Sequence, residues 1–142
     1  MYLLCNTLLR GLTASDKNVD IGNATVQPVD SVRNLGVYLD SLLDMHVHIS
    51  KTAQACHFQL RRLRRVCRLL GRDVTSNLVA ALILTKLDYG NALLAGLPHT
   101  SWRRPYQRVI NAAVRLLFGL RYHDHVTPAA IKLHWLPAEA RI

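Results

Sequence analysis

Apolar side chains recur at Ile49, Ala53, Cys56, Leu60, Leu63, Cys67 and Leu70, with spacings of 4, 3, 4, 3, 4 and 3. That is the repeat of one helix face. It predicts a long amphipathic helix, capped at Ser41 or Asp44 and stopped by Gly71 at the C′ position. A second helix, capped by Asp73 or Thr75, should run to about Tyr89. Its centre, LVAALIL (78–84), is apolar all round, which predicts a buried central helix. Gly90 and the turn Gly96-Leu97-Pro98 close that unit. A third helix should open at Ser101 or Arg104, with Pro105 in its first turn. It would run to Leu117, burying Tyr106, Val109, Ile110, Ala113, Leu116 and Leu117, and stop at Gly119. Thr127-Pro128 predicts a short helix over Ala129–Leu133. Pro137 predicts another, begun five residues before Ile142, which is the pattern expected of a truncated chain.

Residues 1–40 have the pattern of strands. Tyr2 to Leu9 is an apolar run, and Thr13 to Asn18 is polar and turn-like. Val19–Ile21 and Ala24–Val26 flank Gly22-Asn23, which predicts a hairpin that Pro28 terminates. Val32–Leu39 is rich in strand formers, with Gly36 permitting a bulge or a close backbone approach. The expected fold is therefore α+β and mostly α: a strand segment over 1–40, then a bundle of three or more helices over 41–142. No repeat or low-complexity stretch interrupts it.

Charge sharpens the picture. The 142 residues carry 18 Lys+Arg against 9 Asp+Glu. Residues 1–45 hold three basic and five acidic residues, a net of −2; residues 46–142 hold fifteen and four, a net of +11. Arg outnumbers Lys fourteen to four. Arg forks onto phosphate and stacks on bases, so the field points to RNA or DNA rather than to a merely soluble surface. Arg61, Arg62, Arg64, Arg65 and Arg68 form the densest cluster. Arg61, Arg65 and Arg68 share one face of the first helix by the i, i+4, i+7 rule, and no acid lies between Asp44 and Asp73 to neutralise them. Arg103, Arg104, Arg108 and Arg115 extend the candidate surface. Phosphate contacts there would carry no sequence preference.

Other chemistry is sparse. Cys5, Cys56 and Cys67 form no CxxC pair and read as thiols of a reducing compartment. The longest apolar run, Leu78–Leu84, is too short to span a membrane, and the N-terminus lacks the basic start of a secretory leader. His123-Asp124-His125, with His134 nearby, offers ligand atoms but no Cys and no second spaced His pair. These residues read as loop-forming groups, with no metal site and no cofactor. A metal-dependent nuclease is the reading this sets aside. Trp135, between Leu133 and Leu136, reads as a core anchor; Trp102, before Arg103-Arg104, is the better candidate for base stacking.

Five stretches in collinear order carry a resemblance: VRNLGVYLDSLLDMHVHI, LRRLRRV, ALILTKLDYGNALLAGLP, QRVINAAVRLLFGL and HDHVTPAAIKLHWLP. Over residues 19–142 the chain resembles the region downstream of the polymerase centre in LINE-type (non-LTR) retrotransposon reverse transcriptases. The resemblance implies the end of a palm in the early strands, a primer-grip-like segment at LGVYLD, and a thumb with its connection in the helices. It implies that Met1 corresponds to an internal methionine, that the partners are template–primer RNA and DNA and an absent palm, and that the setting is nuclear or cytoplasmic. The family binds two Mg ions with a Tyr-x-Asp-Asp motif and an upstream Asp. This sequence has no Asp-Asp pair, and Asp88 beside Tyr89 has no acidic neighbour. Polymerase activity of the isolated chain is therefore not expected. The remaining alternatives are a stand-alone helical interaction module and a degenerate element remnant.

Overall fold

The computed structural model describes residues 18–27 and 29–142. The apolar run over 2–9, the polar turn from Thr13 and the role of Pro28 lie outside the described residues. The fold is α+β and mostly helical, with two compact units, one through His48 and one from Ile49 onward.

In the first unit, β1 (Val19–Ile21) and β2 (Ala24–Val26) pair antiparallel, with Ile21 opposite Ala24. Only Gly22 in the turn has positive φ, at 62°, as expected of a type II′ turn with Gly first. Thr25 donates its hydroxyl to the opposed Asp20 at 2.7 Å. Residues 32–39 are not one strand with a bulge. They form a second hairpin of β3 (Ser31–Asn34) and β4 (Val37–Asp40), paired as a separate two-stranded sheet. Leu35 at φ 46° and Gly36 at φ 86° make the turn. Positive φ at both central positions is the type I′ pattern, and a leucine in the first of them hides it from sequence. Val32, opposite Leu39, and Val37, opposite Asn34, are the buried apolar residues of this hairpin.

α1 (His46–Val66) begins where Asp44 accepts the N–H of His46 at 2.9 Å, so Asp44 rather than Ser41 marks the start. The helix ends four residues before Leu70, and 67–70 are turns. Gly71 is not a left-handed stop: at φ −44°, ψ 163° it precedes the next helix instead. In the second unit, Ile49, Ala53, Cys56, Leu60 and Leu63 are buried as the stripe requires, while Cys67 and Leu70, past the helix end, are half-buried.

α2 (Arg72–Val79), a π turn (Ala80–Leu84) and α3 (Thr85–Asp88) follow without a break. Thr75 is no cap: its hydroxyl donates back to the Gly71 carbonyl at 3.0 Å. Thr75, Val79, Ile83 and Leu87 are all buried, four residues apart at each step. At 3.6 residues per turn that row would drift by about 40° per step, and the wider π turn absorbs the drift. The apolar run is therefore not buried all round; Leu82 is 40% exposed.

A short α4 (Asn91–Leu94), which sequence did not suggest, follows Gly90 at φ 83°. Then comes α5 (His99–Phe118), the most buried helix. Five of the nine largest fully buried side chains are its Trp102, Tyr106, Val109, Ile110 and Val114. It opens earlier than Ser101, so Pro105 lies inside it, with no N–H for the Ser101 carbonyl. Gly119 at φ 63° ends it, and Leu120 donates its N–H to the Arg115 carbonyl at 3.0 Å, as in a Schellman closure. α6 (Thr127–Lys132) starts at Thr127-Pro128 as expected, whereas Pro137 leads only into a single 3₁₀ turn, Ala138–Ala140. Among the described residues no helix is long and apolar enough to cross a membrane.

Candidate nucleic-acid interface

The α1 stripe faces inward, so the residues between its members face out. Arg61, Arg62, Arg64, Arg65 and Arg68 are all exposed. Arg68 stands beyond the end of α1, so the expected row of Arg61, Arg65 and Arg68 on one helix face is broken at its last member. α5 supplies what one helix's periodicity could not reveal. A groove of about 570 Å³ between α1 and α5 is lined by Gln54, His57, Leu60, Arg61 and Arg64 on one side and by Ala112 and Leu116 on the other. A second hollow, about 450 Å³, is lined by Arg64, Arg65, Cys67 and Arg68 and by Arg115, Leu116, Gly119 and Leu120. Arg64 and Leu116 belong to both, so the two form one trough.

Arg108 stands beside the same trough. His57 is held below its ordinary pKa of 6.5 first by burial, then by the guanidiniums of Arg61 and Arg108. Arg115 sits at the C-terminal turn of α5, where a cation is favoured. Its Nη2 donates to the Tyr122 carbonyl at 3.3 Å and its guanidinium lies over the Tyr122 ring, 5.8 Å from the centroid.

Six of the nine expected residues thus converge: Arg61, Arg64, Arg65, Arg68, Arg108 and Arg115. Three do not. Arg62 turns back over Phe58, 5.9 Å from the ring centroid. Arg103 pairs with Glu139 at 3.0 Å. Arg104 is exposed on the first half of α5, away from the trough's lining. Among the described residues the ion pairs are Arg103–Glu139 and Arg141–Asp88, so no carboxylate neutralises the six. Uncompensated guanidiniums on two facing helices focus a positive field into the space between them.

Trp102 is not a stacking residue. It is 1% exposed, one turn before Tyr106 on the inner face of α5, and its indole N–H finds no acceptor among the described residues. The early start of α5 places it there. Trp135, half-buried, is the more accessible of the two. His123-Asp124-His125 forms a turn: Asp124 accepts the N–H of Arg121 at 2.6 Å, and the His123 ring stands edge-on to Tyr122. Among the described residues no three His, Cys, Asp or Glu side chains cluster as metal ligands.

Sequence reasoning missed two residues of the trough, His57 and Gln54. His57 lies one turn N-terminal to Arg61, at i−4, and Gln54 two turns, at i−7, and that spacing was the available signal. It also missed Tyr122, which only the turn after α5 brings next to Arg115. Comparison of the chain with known protein families, with curated proteins and with solved structures finds no match in any of the three.

Proposed function

We propose that the helical unit handles template–primer nucleic acid through the α1–α5 trough, as the thumb and connection of a LINE-type reverse transcriptase would, without itself performing the chemistry. The setting of such a role is intracellular, nuclear or cytoplasmic, and the partners are RNA and DNA together with a catalytic palm. The reading is supported above all by one observation: five guanidiniums, those of Arg61, Arg64, Arg65, Arg68 and Arg115, line a single trough, with Arg108 beside it and no carboxylate paired with them among the described residues. Arg is the side chain suited to forked contact with phosphate, and a row of such contacts follows a backbone without reading bases. The resemblance over residues 19–142 supports it independently, through the order of its five stretches. The lack of an Asp-Asp pair in the sequence restricts the proposed role to holding nucleic acid.

A salt titration tests the reading. Phosphate contacts release counterions, so the slope of log affinity against log salt should fall by about one for each contact removed. Arg61/Arg64/Arg68→Ala should flatten that slope, and Arg103/Arg104→Ala should change it little. Coincident slopes for the parent and the first variant, with both folded, would reduce the cluster to a solubilising surface.

A further inference from the structure

Beside the trough stands an aromatic ring that phosphate binding alone does not need. Tyr122 is 82% exposed, although burying an aromatic ring is ordinarily favourable. It is nonetheless fixed. The turn that carries it is closed by Asp124 on the Arg121 N–H and by the Asp124 N–H on the Arg121 carbonyl. Arg115 holds the Tyr122 carbonyl and stacks on its ring, and His123 stands at right angles to it with centroids 5.4 Å apart. Arg115 is at the same time a wall of the trough, beside Arg64, Arg65 and Arg68. One guanidinium therefore joins the phosphate-binding channel to an exposed, oriented ring.

We propose that the trough engages a single strand, or the unpaired end of a duplex, with one base stacked on Tyr122 while the backbone runs along Arg115, Arg68, Arg65 and Arg64. This rests on the nucleic-acid reading above and adds what that reading leaves open, namely that the bound nucleotide is unpaired. The physical reason is access. A paired base is already stacked on its neighbours and must be extruded, at a cost of a few kcal/mol, before it can meet a protein ring. An unpaired base meets it freely. Every base has a π face, so the contact selects strandedness rather than sequence. The cation already over the ring makes a preformed platform and limits the entropy lost on binding.

The test uses the full chain, a short single-stranded oligonucleotide of mixed sequence, and the blunt duplex of the same sequence, followed by fluorescence anisotropy across a range of salt. Tyr122→Ala should weaken single-strand binding by roughly 5- to 150-fold, the range expected for loss of one base stack. It should leave the salt slope unchanged, because stacking displaces no counterion, and leave duplex affinity where it was. Tyr122→Trp should restore single-strand binding. A 2-aminopurine in the strand should be quenched by the parent and not by Tyr122→Ala. The proposal is overturned if Tyr122→Ala binds single strand like the parent, or if it weakens single strand and duplex alike. Either result leaves the phosphate reading standing as long as the arginine variants still flatten the slope. Failure of the parent to bind either probe removes both.

Discussion

Arg141 closes on Asp88 across 53 residues of sequence, its Nε donating to Oδ1 at 2.9 Å and its Nη2 to Oδ2. The contact joins the end of α3 to the segment after the 3₁₀ turn, and Asn91 adds a bond from its amide to the Arg141 carbonyl at 2.9 Å. The Arg141 side chain is 16% exposed and that of Asp88 44%, so solvent screens the pair on one side only. Asp88→Asn should cost about 1 kcal/mol, the upper part of the range for partly exposed pairs. It should appear as a lower urea midpoint at unchanged slope. Removing the more exposed Arg103–Glu139 pair with Arg103→Ala should produce no resolvable shift. Equal effects from the two substitutions would mean that the forked geometry adds nothing.

Trp102→Ala should destabilise the helical unit by roughly 3–5 kcal/mol, as expected for deleting a fully buried aromatic side chain. A drop in the thermal midpoint of several degrees or more should accompany it, and Trp135→Ala should do much less. If Trp102→Ala instead left stability intact and weakened binding to nucleic acid, its placement on the inner face of α5 would be wrong.

What the sequence made legible follows from the reach of its signals. The α1 stripe from Ile49 to Leu63 and the Gly22-Asn23 hairpin were plain, because each is a local rule satisfied by neighbours in the chain. The turn at Leu35-Gly36 was not, since leucine is not a residue one expects at positive φ. Pro105 misplaced the start of α5, because Pro favours a first turn whereas the burial of Trp102 keeps an earlier turn helical. The arginines were legible as a cluster, but a helical repeat gives the face of one helix and not its neighbour. The meeting of Arg64 with Arg115, and with it the trough, is a tertiary fact.

The cysteines should differ in reactivity. Cys56 has no exposed surface, and burial pushes its thiol up to about 11, partly offset by Lys86. Cys67 is half-buried on the trough wall. A neutral alkylating agent on the native protein, mapped by peptide mass, should label Cys67 well before Cys56, since the thiolate is the reacting species. Equal labelling rates under native conditions would show that the core opens freely at α1.

Two histidines set the response to acid. His48 is pushed down by burial, and its Nδ1 accepts the Tyr38 N–H at 3.4 Å; His57 is pushed down by burial and by Arg61 and Arg108. With folded values below 6.5, the unfolded chain takes up protons first. Their contribution is therefore intact above about 6.5 and is lost as pH falls through the window down to the folded values. Binding should move the opposite way. A phosphate beside His57 favours the protonated ring, so affinity should rise on acidification from about pH 7.5 to about 5.5. His57→Gln, which keeps Arg61, Arg64 and Arg108, should flatten that rise. A parent whose affinity is constant over the range would show that no phosphate approaches His57.

Amide exchange should rank the described elements. The β1–β2 hairpin has three-residue strands, and none of its described side chains is buried; an isolated hairpin is marginal in water. Its amides should exchange fastest, and those of Ile83, Ile110 and Val114 slowest. The reverse order would place the stable nucleus of this protein in its strands.

The π turn at Ala80–Leu84 has a consequence for insertions and deletions. A π turn is an α-helix carrying one extra residue, and each residue of an α-helix advances the side-chain direction by about 100°. Deleting any one residue between Ala80 and Leu84 would restore a regular helix and leave composition and hydrophobicity almost unchanged. The residues after it, Leu87 and Asp88 among them, would keep their directions, because the rotation of the extra residue is already taken up within the π turn. This helix thus absorbs the loss of one residue at Ala80–Leu84, whereas the same deletion in the middle of α5, which has no such turn, would swing its later buried residues by about 100°.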